Sequence, residues 1–344
     1  MKQTEKLTIY VDPCCNVLYA SFYLYGIRKL YGKNSIKFTS AYFDKFKHNG
    51  RIVPIVIARG NELSRVVIDF GDVDYIDTHG IAWCDHYAKV NINSEIECAH
   101  PEKLFSIGPS FAIRVFSKLE TVLLVLSNFY KGRKRIQRAR YFFGEYRAQM
   151  NRHDLSAYHN DKPSDDSNVF FASSLWKLEP ETNRFRANFI NACKKLKGIH
   201  FTGGFSPRKH NDVPGFESLT IEKRIDFDEY LELTKSSLTT FSTPAVGKCH
   251  GWKIGEFLAM RKAILSTPLM RELPSPLLDG VHIVYTDGSE ADIAQKVELL
   301  RSDPALRRKI EQNGLAYFNE WLQPEKVVSQ IFARAFSKSE AALK

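Results

Sequence analysis

Residues 248–269 read KCHGWKIGEFLAMRKAILSTPL. A turn bearing Gly and Lys leads into an apolar helical stretch, and AILST (263–267) then reads as a short strand stopped at Pro268. Just upstream, LTTFSTP (238–244) is another strand pattern, so the order is strand, glycine-bearing turn, helix, strand. A helix that starts where a strand ends presents unpaired N–H groups and the positive end of its dipole, which favours an anion such as phosphate. Gly247 and Gly251 permit close backbone approach, and Lys253 in the first turn adds a direct charge. Glu256, five residues after Gly251, faces the same strand-end crevice. An ionised carboxylate accepts two hydrogen bonds, so a vicinal diol such as a ribose is its natural neutral partner. Phosphate at the helix start and ribose one turn on describe a nucleoside diphosphate.

The neighbouring sequence repeats the alternation. VFFASSL (169–175), IHFTGGF (199–205) and HIVYTD (282–287) read as strands; NRFRANFINACKKLKG (183–198), DFDEYLELTKSS (226–237) and the stretch from Ser289 onward read as helices. Repeated units of this length build a parallel sheet covered by helices on both faces, with ligands at the carboxyl ends of the strands. Ser173 and Ser174 end the first of these strands, Arg184 and Arg186 follow near a helix start, and Gly203-Gly204 ends the next strand. The serines and arginines either contact a donor bound there or are solvated surface groups, and the glycine pair shapes the base pocket. His250 is either a contact to sugar or phosphate or a turn histidine bonded to backbone.

The first half reads as a second α/β domain. KLTIYVD (6–12), IKFTSAYF (36–43) and RVVIDF (65–70) are strand patterns, YASFYLYGIRKLYG (19–32) is helical, and AWCDHYAKVNI (82–92) supplies a short helix and strand. A polar stretch, RHDLSAYHNDKPSDDSN (152–168), separates the halves. A chain of 344 residues exceeds one ordinary core, so two domains are expected. Its 44% hydrophobic and 26% charged residues exclude a disordered chain.

The formal charge of +10 favours anionic partners. Much of the excess lies in residues 50–65 and 130–152. The whole run 117–150 is helical in pattern, apolar first and then basic with interleaved Tyr and Phe. It reads as a surface helix with its aromatic stripe on the core, or as a contact to an anionic membrane surface; no recognition motif points to nucleic acid. The start MKQTEKLTIYVD is not a signal peptide, and the longest apolar run is too short to span a bilayer, so a cytoplasmic protein, peripheral on the inner face of a membrane, is expected. Six cysteines without a compact framework fit reduced thiols. The Cys84-x-His86 and Cys98-x-His100 pairs lack the usual zinc-knuckle spacing and read as turn and core residues.

The run Gly255-Glu256-Phe257-Leu258-Ala259-Met260-Arg261-Lys262-Ala263-Ile264-Leu265 resembles the glutamate-centred signature of GT-B glycosyltransferases, in the carboxy-terminal domain of their family 1 and family 4-like members. The resemblance spans roughly residues 169–336 and is strongest from 226 to 322. It implies two Rossmann-like doubly wound domains facing a cleft, over residues 1–155 and 156–322, with a C-terminal helix in 323–344 crossing back to the first. It also implies that Glu256 binds the donor ribose, that Gly251, Lys253, His250, Ser173 and Arg184 surround the donor, and that no metal or separate cofactor takes part. Lys248 stands where many retaining members carry a second glutamate, and Arg261 replaces the usual glycine, so the stereochemical course stays open.

The implied activity is transfer of a sugar from a nucleotide diphosphate donor to a glycan or lipid-linked glycan acceptor, in cell-surface polysaccharide synthesis. A nucleotide-sugar epimerase of the same architecture and a non-catalytic sugar-nucleotide or glycan-binding protein are the competing readings. For an inverting transfer, Asp69 and Asp72 are the base candidates, with Asp12, His79 and His86 as rivals. A dinucleotide-dependent dehydrogenase is disfavoured, because no strand is followed by a G-x-G-x-x-G turn.

Overall fold

The computed structural model describes residues 7–46, 49–210 and 212–341, without the side chains of residues 97, 98 and 337–341. The chain forms two compact units, one of Met1–Leu155, Glu272–Pro274 and Trp321–Lys344, the other of Ser156–Arg271 and Ser275–Glu320.

The first unit runs β1 (Leu7–Val11), α1 (Val17–Tyr31), β2 (Ile36–Phe38), β3 (Ile52–Arg59), β4 (Glu62–Asp69), α2 (Thr78–Trp83), β5 (His86–Lys89), α3 (Ser94–Ala99), β6 (Leu104–Ser106), α4 (Lys118–Gly132) and α5 (Ala139–Met150). Its sheet has the order β2-β1-β3-β4-β5-β6. The outer pairs are parallel, whereas β3 is antiparallel to both β1 and β4. The charged stretch 50–65 is therefore a hairpin, turning at Gly60, whose φ of 57° suits a residue without Cβ. The strand expected over 36–43 stops at Phe38. The Thr39 hydroxyl accepts from Ala41 N (3.3 Å) and Phe43 N bonds back to Ser40 O (2.9 Å), so local turn bonds replace the ladder.

The helical pattern of 117–150 is two helices. Ser117 and Glu120 form a capping box at the start of α4, and α5 begins after the basic connection 133–138. Asn128 on α4 donates to the Tyr146 hydroxyl on α5 (2.8 Å). The last helix, α11 (Pro324–Ala341), packs on α1 of the same unit, where a Cβ at Gly26 would run into the Pro324 carbonyl.

The second unit contains β7 (Asn168–Ser173), α6 (Pro180–Lys195), β8 (His200–Phe205), α7 (Phe227–Ser236), β9 (Thr240–Ser242), α8 (Trp252–Ala259), β10 (Ile264–Ser266), β11 (Val284–Tyr285), α9 (Glu290–Ser302) and α10 (Pro304–Tyr317). The α/β reading of this half stands, and every ladder is parallel: β7 with β8, and β9 with β10 and β10 with β11. The two ladders meet at β7 and the lead-in to β9, where Leu238 N donates to Asn168 O (2.7 Å) and Phe170 N to the Ser237 hydroxyl (2.9 Å). The spatial order is thus β8-β7-β9-β10-β11. The chain winds outward from β7 to β8, then returns to the other side of β7 for β9. That reversal opens a crevice beyond the carboxyl ends of β7 and β9, the place where such sheets bind ligands. Beneath it, Phe189 stacks on Phe241 with centroids 4.4 Å apart, inside a core that includes Phe171, Leu265 and Val297.

Candidate functional site

At the crevice, Arg186 projects from the buried face of α6, where Thr182, Asn183, Ala187 and Ile190 share its helical phase. Its guanidinium spans the reversal: Nε donates to the Thr243 hydroxyl (3.0 Å) just past β9, and an Nη atom donates to Ser174 O (3.0 Å) just past β7. Burial lowers its pKa to about 10, which leaves it cationic at neutral pH. Arg184, singled out beside it in the sequence, is 64% exposed at its side chain and pairs with Glu181 at 3.6 Å. One helical position separates a solvated arginine from the one at the crevice.

The second cation is Lys253, in the first turn of α8. Its ammonium donates to the Ala172 carbonyl and lies 5.2 Å and 5.6 Å from the ring centroids of Phe171 and Tyr230. Burial, followed by the like charge of Arg186, lowers its pKa to about 7, and Glu256 opposes the shift. Glu256 lies on the same helix, 5% exposed, and accepts from the Tyr230 hydroxyl at 3.3 Å. Burial, then the neighbouring carboxylate, pushes the Tyr230 phenol well above its usual range, so it remains a hydrogen-bond donor. The arrangement is two closely placed cations, a buried carboxylate and a phenol. Tyr230 escaped the sequence reading, although α7 signals it by burying Leu231 and Thr234 on the adjoining face.

Gly251 is the N-cap of α8 and brings no side chain to the first-turn amides. Gly247 plays another part. At φ 63° it shapes the turn, but its N–H already donates to Glu179 Oε1 (2.8 Å), and its carbonyl accepts from Arg271 (2.7 Å). It holds the turn in place and has no amide left for a phosphate. His250 is 5% exposed, and its Nε2 meets Arg271 O at 3.0 Å, consistent with ring N–H donation to backbone. Lys248 takes φ 62° and Arg261 φ 52°, so both departures from the family signature sit in left-handed backbone.

Ser173 is buried at the end of β7, and Ser174 beside it is exposed. Gly203, with φ 104°, lies against β7 so closely that an added Cβ would overlap the Phe171 carbonyl oxygen. Gly203→Ala is therefore expected to destabilise the protein by at least ~2 kcal/mol, read from chemical denaturation midpoints at unchanged slope. A value near zero would show that the strand end rearranges freely.

The base candidates of the first half separate sharply. Asp69, at the end of β4, is 4% exposed and accepts from Tyr87 Oη (2.6 Å), Lys89 Nζ (2.9 Å) and Gly71 N (2.8 Å). Three donors, one of them the ammonium of fully buried Lys89, hold this carboxylate, so it ties strand ends together. Asp72, three residues past the end of β4, is exposed. Asp12 is fully buried and forms a two-pronged pair with Arg135 (2.7 Å and 2.9 Å). His79 is exposed, and His86 is buried within β5. Cys14, Cys15, Cys84, Cys193 and Cys249 are buried and form no disulfide among the described residues, while the Cys98 side chain lies outside them.

Among solved structures, the chain is similar to GT-B glycosyltransferases. The C-terminal domain of a glycosyl transferase group 1 family protein from Francisella tularensis aligns over 48% of this chain and 96% of its own, at 18% identity and a TM-score of 0.34. A glycosyltransferase from Rickettsia africae aligns over 79% of this chain and 70% of its own, at 11% identity and a TM-score of 0.46. A putative UDP-N-acetylglucosamine 2-epimerase from Listeria monocytogenes aligns over 80% and 75%, at 10% identity and a TM-score of 0.39. No family model and no curated protein matches the sequence.

Proposed function

We propose that the second unit binds a nucleotide diphosphate sugar and that the protein transfers this sugar to a glycan or lipid-linked glycan acceptor, in cell-surface polysaccharide synthesis. The observation that carries the reading is the convergence of Arg186, Lys253 and Glu256 beyond the carboxyl ends of β7 and β9. The two cations and the first-turn amides of α8 suit a diphosphate, and the Glu256 carboxylate suits ribose hydroxyls. In transfer, the same cations stabilise the charge that develops on the departing diphosphate, with the rings of Phe171 and Tyr230 flanking the Lys253 ammonium. The sequence signature around Glu256 supports the same roles.

Thermal-shift measurements against uridine, guanosine and cytidine diphosphates test the binding step, since a ligand that binds only the native state raises its melting temperature. One diphosphate is expected to raise it, and its Glu256→Ala variant is expected to respond far less. No response to any of the three removes the donor-site assignment. Incubation with donor sugar alone separates the enzymes: transfer requires an acceptor, whereas acceptor-independent isomerisation of the donor supports the epimerase.

The binding step carries its own pH signature. With a free-state pKa of about 7, Lys253 is largely neutral at pH 8, and a bound diphosphate favours its charged form. Binding then takes up a proton, and affinity falls as pH rises from about 7 towards the higher pKa of the complex. Calorimetry at pH 8 in two buffers of different ionisation enthalpy is expected to give different apparent heats. Equal heats would show that Lys253 does not change protonation on binding.

A further inference from the structure

Helix α4 is turned inside out. Its buried positions are Thr121, Val125, Asn128 and Gly132, whereas Leu119, Val122, Leu123, Leu126 and Tyr130 are between 48% and 71% exposed. Their spacing of three and four residues lines them along one face, and Phe143 of α5, packed on Phe129 at 5.1 Å, widens the stripe. An isolated exposed leucine needs no explanation, but a continuous apolar helical face does. The helix end and the connection beyond it are strongly basic. Residues 118–140 hold seven Lys and Arg but a single acid, Glu120, which is tied to Arg28 at 3.1 Å and to the helix cap. Arg133 folds back over the Tyr130 ring at 4.2 Å, placing a guanidinium against an exposed aromatic.

We propose that the α4 face docks on an anionic lipid bilayer, with the leucine stripe at the level of the acyl chains and Lys131, Arg133, Lys134, Arg138 and Arg140 at the head groups, Arg135 being paired with Asp12. Charge decides the occupant. A second copy of this chain, set antiparallel, would bring the basic end against Lys118; set parallel, against itself. A bilayer with negative head groups meets both the apolar face and the cations at its edge. The proposal requires nothing of the crevice in the second unit. It also relocates the contact expected over 130–152: the apolar part of the surface belongs to residues 119–130, and α5 buries Phe142 and Tyr146. Among the described residues no helix is long and apolar enough to cross a membrane.

Sedimentation with vesicles tests this. The protein is expected to pellet with phosphatidylcholine vesicles containing about one third phosphatidylglycerol, to bind pure phosphatidylcholine far less, and to be released by salt. Leu123→Glu/Leu126→Glu, at two exposed positions, is expected to lower the partition at least tenfold with an unchanged melting temperature. Wild-type protein left in the supernatant, or a double variant that binds as well as wild type, overturns the proposal. So does a dimer in sedimentation velocity that the same double substitution dissociates, since that result assigns the face to a second copy.

Discussion

Glu256→Ala is expected to abolish sugar transfer. The carboxylate is the only acid among the groups argued to contact donor, and hydrogen bonds to a charged group contribute about 1.5–3 kcal/mol, equivalent to about 10- to 150-fold in nucleoside diphosphate affinity. Its loss also removes the charge that holds the Lys253 ammonium up against burial and Arg186, so the diphosphate loses cationic character as well. Glu256→Gln separates these effects, because the amide still accepts from Tyr230 but carries no charge. Donor-dependent turnover and calorimetry on the two variants, with a melting curve as the control for folding, read the outcome. Full activity in Glu256→Ala would detach the signature from the reaction.

The largest stability effect is expected in the other unit. Lys89→Met leaves Asp69 buried without its ammonium, and breaking one side of a buried pair costs about 3–5 kcal/mol. The double change Asp69→Asn/Lys89→Met removes both charges and is expected to recover much of that loss. Urea unfolding of the three variants gives the coupling directly. The same set tests the reassignment of Asp69: an isolated Asp69→Asn protein that folds yet loses turnover by several orders of magnitude, with donor binding intact, would restore it as the base.

The alternation of strands and helices from residue 169 onward was legible because the central parallel strands β7, β9 and β10 are mostly buried, largely apolar runs, and α6 ends before the stop at Gly198. The hairpin of β3 and β4 was not. Its turn is a lone Gly60 amid polar residues, and Glu62 and Arg65 interrupt the apolar pattern at exposed positions of β4. The place of Lys253 and Glu256 on a helix that follows a strand-end turn was legible, because the glycine-bearing turn marks the helix N-terminus. Arg186 and Tyr230 were harder, because they reach the crevice from the buried faces of α6 and α7, where a sequence pattern counts them as core. Asp69 misled for the opposite reason. A carboxylate at a strand end looks catalytic until its partners are seen, and Lys89 lies twenty residues away at the end of β5, in a stretch read only as a short helix and strand.

The central claim concerns where a nucleotide sits. A crystal of the protein grown with the nucleoside diphosphate that stabilises it most is expected to show the ribose hydroxyls within hydrogen-bond reach of the Glu256 carboxylate and the phosphates against Lys253, Arg186 and the first-turn amides of α8. A nucleotide bound with its ribose away from Glu256, or its phosphates away from both cations, would contradict the account.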